Sequence, residues 1–189
     1  MFLIFGGRFA RNERAQALSR TIGKELRPRA VLEIGTASGG TLFLFTRMAA
    51  DDAEVISVDL PEGEFGGGYP PWKSRLFRSF ARDGQKVHLI REDSHSPETL
   101  NEVRKVLGGC PVDFLFIDGD HTYEGVRRDF EMYSPLVREG GVIAFHDICH
   151  GPVESVGGVP DFWREICAKR ACTSIVKDDR QGTETQGCS

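Results

Sequence analysis

At 189 residues the chain is the length of one domain, and it can bury roughly 70% of its unfolded surface without help from disulfides. Its 24 Lys and Arg against 28 Asp and Glu leave a formal net charge of −4, which argues against a phosphate backbone as its main partner. Hydrophobic residues at 40% and charged ones at 28% are ordinary for a globular protein, and no apolar run approaches the ~18–20 residues of a membrane span.

The opening MFLIF run is too short for a signal-peptide core and lacks a basic lead and a cleavage site. Residues 8–27 carry Ala10, Ala17, Leu18, Ile22 and Leu26 at a helical period. Arg8, Arg11, Arg14 and Arg20 fall elsewhere, so an N-terminal helix with a solvated basic face is expected, which also suits contact with a second subunit. Five strands should follow: VLEIG (31–35), EVISVDL (54–60), KVHLIRED (86–93), VDFLFIDGD (112–120) and GVIAFHDI (141–148). Each is continuously apolar, as a parallel strand covered on both faces must be. Helices are expected between them. One runs from Thr41 to Ala50 out of a glycine-rich turn. A second starts at Ser96-Pro97-Glu98 and stops at Gly108-Gly109. A third is capped by Thr122 and turns Val126, Phe130 and Tyr133 inward. ACTSIV (171–176) reads as a sixth strand, and the polar remainder offers no apolar run for a seventh.

The expectation is therefore a single doubly wound α/β domain over 1–176, with a mostly parallel Rossmann-like sheet of six strands and a polar tail over 177–189. Residues 61–73, rich in glycine, proline and aromatics, have the composition of a lid or of a disordered connection, which the sequence alone does not separate. The five cysteines are odd in number, form no CxxC pair and fit no usual zinc spacing, so they read as reduced thiols of a cytoplasmic protein.

Ligands of open α/β sheets sit beyond the carboxyl ends of the strands, and the polar residues gather there. The first predicted strand runs into EIGTASGG (33–40), where Gly35 and Gly39 permit a tight turn and close approach of a ligand. The second ends in Asp59, the third in Asp93-Ser94, the fourth in Asp118 and the fifth in His146-Asp147. The turn is not the dinucleotide GxGxxG, and no Gly-Lys-Ser/Thr follows to make a P-loop.

A glycine turn combined with acids after strands two, three and four resembles a class I S-adenosylmethionine-dependent methyltransferase over residues 30–148. More narrowly, IDGDHTYEGVRRDFEMYSPLVREGGVIAFHD (117–147) is similar to the bacterial group of cephalosporin hydroxylase-like and macrolide-sugar O-methyltransferases. The resemblance implies S-adenosylmethionine as cofactor and a hydroxyl of a small molecule or sugar as acceptor. Glu33 would reach the methionine amino group, with Gly35, Thr36, Ala37 and Gly39 packed on the methionine and ribose. Asp59 would hold the ribose hydroxyls, Leu60 would lie beside the adenine, and Asp93 with Ser94 would meet the adenine amino group.

In these families a base stands three residues after the strand-four acid, which makes His121 the expected general base beside Asp118. They also bind a divalent ion through the strand-four acid and two residues after strand five, here Asp118, His146 and Asp147. Histidine in place of an acid suits manganese, iron or zinc at least as well as magnesium. The alternatives are a nucleotide-binding oxidoreductase or metal-dependent hydroxylase on a related fold, or a cofactor-binding protein without turnover. YPPW (69–72) resembles the Pro-Pro motif of base-methylating enzymes, but that motif belongs after strand four, so nucleic acid is not an expected partner, nor is a membrane.

Overall fold

A computed structural model of the chain describes residues 2–6, 27–62, 68–151, 153–170, 172–178 and 182–188. The expected helix over 8–27, apart from Arg27, and the centre of the 61–73 segment lie outside them.

The five expected strands are present as β2 (Ala30–Ile34), β3 (Glu54–Val58), β4 (Lys86–Ile90), β5 (Val112–Ile117) and β6 (Val137–Phe145). They pair in parallel in the spatial order β4-β3-β2-β5-β6. From β2 the chain winds outward through β3 and β4, then returns to β2's other side as β5, so strand order reverses between β2 and β5. Helices α1 (Gly40–Met48) and α2 (Lys73–Arg78) supply Leu42, Phe45 and Phe77 to one face. Helices α3 (Pro97–Leu107), α4 (Tyr123–Tyr133) and, after the short α5 (Val153–Val156), α6 (Val159–Lys169) cover the other. Cover on both faces explains the unbroken apolar strands, since alternate residues such as Val31 and Leu32 enter different cores. Among the described residues no helix is long and apolar enough to cross a membrane.

Helix ends follow the local chemistry. The Ser96 hydroxyl accepts from the Glu98 amide with Pro97 at the first turn, and Gly108 closes α3 in the left-handed region. Thr122 caps α4 by accepting from the Gly125 amide at 3.0 Å, and Val126, Phe130 and Tyr133 are buried as expected.

The sheet departs from expectation at one edge. Phe2–Gly6 forms β1, parallel to and between β6 and β7 (Cys172–Asp178). The expected absence of a seventh strand in the polar tail is overturned: Gly182–Cys188 forms β8, antiparallel to β7, and the described residues make an eight-stranded sheet. An edge strand is recruited by backbone hydrogen bonds to its neighbour, so it needs no apolar run. Helices α2 and α6 were also unexpected, although Val159, Phe162, Trp163 and Ile166 make a buried stripe at helical spacing along α6.

The pairing continues one residue past the strand ends. The amides of Asp59, Gly35, Asp118 and His146 donate to the carbonyls of Ile90, Val58, Ile34 and Ile117 at 3.0, 2.8, 2.8 and 3.1 Å. These four residues therefore stand in one row along the carboxyl edge of the sheet. Within the row Gly35 has φ +90°, and a Cβ there would stand 2.0 Å from the Asp118 carbonyl oxygen. Gly108 also has positive φ (+58°) but open space around it. Gly35→Ala should thus cost several kcal/mol, beyond the ~1 kcal/mol expected of Gly108→Ala. Urea denaturation of the two variants decides; equal costs would mean that β2 and β5 do not approach this closely.

Candidate active site

The row of post-strand residues floors a cavity of about 480 Å³ at the strand-order reversal. Gly35, Ala37, Asp59, Leu60, Asp93 and Ser94 line one side of it. Asp118, His121, His146 and Asp147 line the other. Thr36 and Gly39 instead border an adjoining groove that shares Gly35, Ala37 and Asp118.

Asp59 ties the glycine turn down. Its Oδ1 accepts from the amides of Thr36 at 3.0 Å and Ala37 at 3.4 Å, and its Oδ2 from that of Gly68 at 2.9 Å. Burial raises its pKa, and these amides with Arg91 pull it partly back. The Thr36 and Ser57 hydroxyls hydrogen-bond beneath the turn. Leu60, 48% exposed, forms an apolar shelf at the cavity edge. Asp93 faces solvent, and its Oδ1 accepts from the His95 amide at 2.8 Å.

Glu33 lies under the turn and is sealed from solvent, both oxygens without a well-formed hydrogen bond. It shares the sheet face of Val31, the one that α1 covers. Burial lifts its pKa to about 8, with the hydroxyls of Thr41 and Thr36 opposing and the charges of Asp118 and Asp59 adding to the rise.

At the other wall, His121 Nε2 is 3.3 Å from Asp118 Oδ1 and its Nδ1 is 3.7 Å from Asp147 Oδ2. His146 Nδ1 lies 3.2 Å from Asp118 Oδ1 and 3.0 Å from Asp147 Oδ1. Burial alone would raise Asp118, but the two histidines outweigh it and hold the carboxyl at about 2. Burial would likewise lower His146, and the two carboxylates instead push it up to about 10. Asp147 adopts φ +53°, uncommon for a residue with a side chain. The turn between α5 and α6 presses on this wall: the Gly158 amide donates to the His121 carbonyl at 2.8 Å, and a Cβ on Gly157 would stand 2.0 Å from that oxygen. The adjacent glycines 157–158 were the available sequence signal for this support. His95, close to the site in sequence but with no role assigned by it, also lines the cavity, as do Asp120 and Thr122, which the sequence does not mark as site residues.

YPPW stays outside the cavity lining. Tyr69 is buried against Phe77, ring centroids 4.7 Å apart, with the Arg91 guanidinium 5.3 Å from its centroid, while Pro70 and Pro71 lead into α2.

Sheet order, cavity position and turn define a class I methyltransferase fold. Residues 32–148 match the methyltransferase domain family, and the chain belongs to it. A protein of Acanthamoeba polyphaga mimivirus is 53% identical over 116 residues, covering 61% of this chain and 50% of that protein. A caffeoyl-CoA O-methyltransferase of Populus kitakamiensis is 27% identical over 122 residues, covering 65% of this chain and 48% of the enzyme. The chain thus spans about half the length of these relatives. The O-methyltransferase TomG of Streptomyces achromogenes, solved with S-adenosylmethionine, shares the fold at TM-score 0.61 and 18% identity, over 92% of this chain and 77% of that one.

Because Glu33 titrates near 8 when folded against 4.5 when free, folding favours its protonated form. Its stabilising contribution is complete below about pH 4.5 and is lost as pH rises through 8. Glu33→Gln should therefore leave stability nearly unchanged near pH 4.5 and raise it by on the order of 4 kcal/mol by pH 9. Urea denaturation of the ligand-free protein across that range tests this, and a pH-independent difference would contradict the raised pKa.

Proposed function

We propose that the chain transfers the methyl group of S-adenosylmethionine to a hydroxyl oxygen of a small molecule or sugar, with His121 as general base. The observation that carries this reading is the convergence on one cavity of the Asp59–Leu60 and Asp93–Ser94 wall with the Asp118–His121 pair. An ionised carboxylate has about four acceptor sites, and three backbone amides occupy Asp59, leaving one for a ribose hydroxyl. Glu33 would face the methionine ammonium and the sulfonium charge through the turn formed by Gly35, Thr36, Ala37 and Gly39.

Methyl transfer from a sulfonium is an in-line displacement: the acceptor oxygen–carbon bond forms as the sulfur–carbon bond breaks, and the hydroxyl proton leaves. The His121 ring would take that proton. Asp118, ionised at any working pH, would stabilise the imidazolium that results. The relative named as a caffeoyl-CoA O-methyltransferase supports oxygen as the methylated atom.

The donor set also fits a divalent cation. Asp118, His121 and Asp147 each offer one ligand atom, all within 4.8 Å of one another. His146, the ligand expected from the sequence, brings Nδ1 to the same two carboxylates, and its ring nitrogens are sealed from solvent without a well-formed hydrogen bond. When bound, such an ion supplies a Lewis acid that orients and acidifies a hydroxyl. A His121 nitrogen committed to a cation cannot also accept the acceptor's proton, so the metal and base roles of that nitrogen exclude each other.

Incubation with S-adenosylmethionine and a panel of hydroxylated acceptors should release S-adenosylhomocysteine. His121→Ala should lower turnover by about 10²–10⁴ and leave S-adenosylhomocysteine binding intact. Binding of NAD in place of S-adenosylmethionine would favour the oxidoreductase alternative. For the cation, equilibrium dialysis with Mn²⁺ should show one site that Asp147→Ala weakens. No binding by the wild-type chain, together with full turnover in excess chelator, would remove the metal from the proposal.

A further inference from the structure

The inner face of α4 carries a fully buried carboxylate, Asp129, for which the proposed chemistry has no use. Both oxygens are sealed from solvent without a well-formed hydrogen bond, and the His95 ring faces them with Nε2 3.3 Å from Oδ1. A buried carboxylate costs several kcal/mol of desolvation, which an apolar side chain of similar size would avoid. What Asp129 touches gives it a role beyond packing.

Two walls of the cavity converge on it. The first is the loop after β4, where Ser94 and His95 line the cavity. Helix α4 binds this loop at every turn: the Tyr133 hydroxyl donates to the Ser94 carbonyl at 2.7 Å, Arg128 Nη2 donates to the His95 carbonyl at 2.9 Å, and His95 Nε2 is 3.1 Å from the Gly125 carbonyl. The second wall is Gly119–Asp120, between Asp118 and His121. A Cβ on Gly119 would stand 3.3 Å from Asp129 Oδ2 and 3.1 Å from Ile34 Cγ2, so the carboxylate and Ile34 bound the space that a side chain at 119 would need. The Asp120 side chain in turn lies against Gly125, where a Cβ would meet its Cγ at 2.1 Å.

We infer that Asp129 is a positioning residue that sets the width and register of the slot between Ser94–His95 and Gly119–Asp120, the slot that takes the cofactor's base. This rests on the proposed binding of an adenosyl cofactor, with Asp93 and Ser94 at the adenine amino group. Asp129 does not touch the base. It acts through His95 on one wall and Gly119 on the other.

The test compares binding of S-adenosylhomocysteine with that of S-inosylhomocysteine, in which an oxo acceptor replaces the amino donor and N1 carries a proton, by calorimetry on the whole chain. The wild-type protein should prefer the adenosyl compound about tenfold, the worth of one well-placed hydrogen bond. In Asp129→Asn this preference should collapse to about twofold or less, with S-inosylhomocysteine affinity nearly unchanged, because the contacts to ribose and methionine stay in place. Tyr133→Phe removes one tie from the same helix and should give a smaller fall in the ratio; it decides the matter if Asp129→Asn does not fold. A purely structural Asp129 would lower thermal stability and leave the ratio at its wild-type value, and that result in a folded variant overturns the inference. Equal affinity of the wild-type chain for both compounds overturns it as well, while leaving the cofactor reading standing. Binding of neither compound refutes the cofactor reading itself, and the inference with it.

Discussion

The cavity depends on backbone pairing that runs one residue beyond the strands. Because the amides of Asp59, Gly35, Asp118 and His146 still bond to the neighbouring strands, four residues far apart in sequence are held in one row. Within that row Gly35 approaches the Asp118 carbonyl so closely that only a residue without a side chain fits there. Turns leave the sheet on either side of this contact, the glycine turn into α1 and the Asp118–Thr122 segment into α4. The crevice is the space between them, and strand order reverses where it opens.

Carboxylates around this crevice have been driven to different states by their surroundings. Glu33 sits on the covered face of β2 with no cationic neighbour among the described residues to offset its burial, and it holds its proton up to about 8. Asp59 is also buried, but three backbone amides repay part of its desolvation. Asp118 faces two imidazoles and stays ionised down to about 2. A cationic ligand entering such a site would meet a fixed negative charge at Asp118 and would draw the proton off Glu33, coupling its affinity to pH. Asp118, beside the proposed proton transfer, is thus held ionised, while Glu33 beneath the turn keeps its proton.

Local chemistry explains which elements could be read in advance. Helices α3 and α4 announce themselves through Ser96-Pro97 and Thr122, through the glycines that end α3, and through stripes that meet the core. Helix α6 has as good a stripe, Val159, Phe162, Trp163 and Ile166, but it follows glycines and carries Pro160, signals that by themselves point away from a helix. In the structure Pro160 lies in the first turn, where its missing amide costs nothing. Strands β1 and β8 escaped for a different reason. The first is no shorter than β2, β3 or β4, but its place is set by pairing to β6 and β7, both distant in sequence; the second is polar and is held by antiparallel pairing to β7, the strand just before it.

The sequence alone determined the parallel α/β sheet and the positions immediately after its strands, because an apolar run and the polar residue that ends it are adjacent in the chain. Gly35, Asp59, Asp93, Asp118 and His146 could be found in this way, and the structure brings all five to one cavity. Only the tertiary structure decided how the side chains engage one another. It set His121 between Asp118 and Asp147, seated the 157–158 turn on the His121 carbonyl, and placed Asp129 beneath both Gly119 and His95. Those relations are distances between separate elements, fixed by how helices pack on a twisted sheet, and no local pattern of residues encodes them.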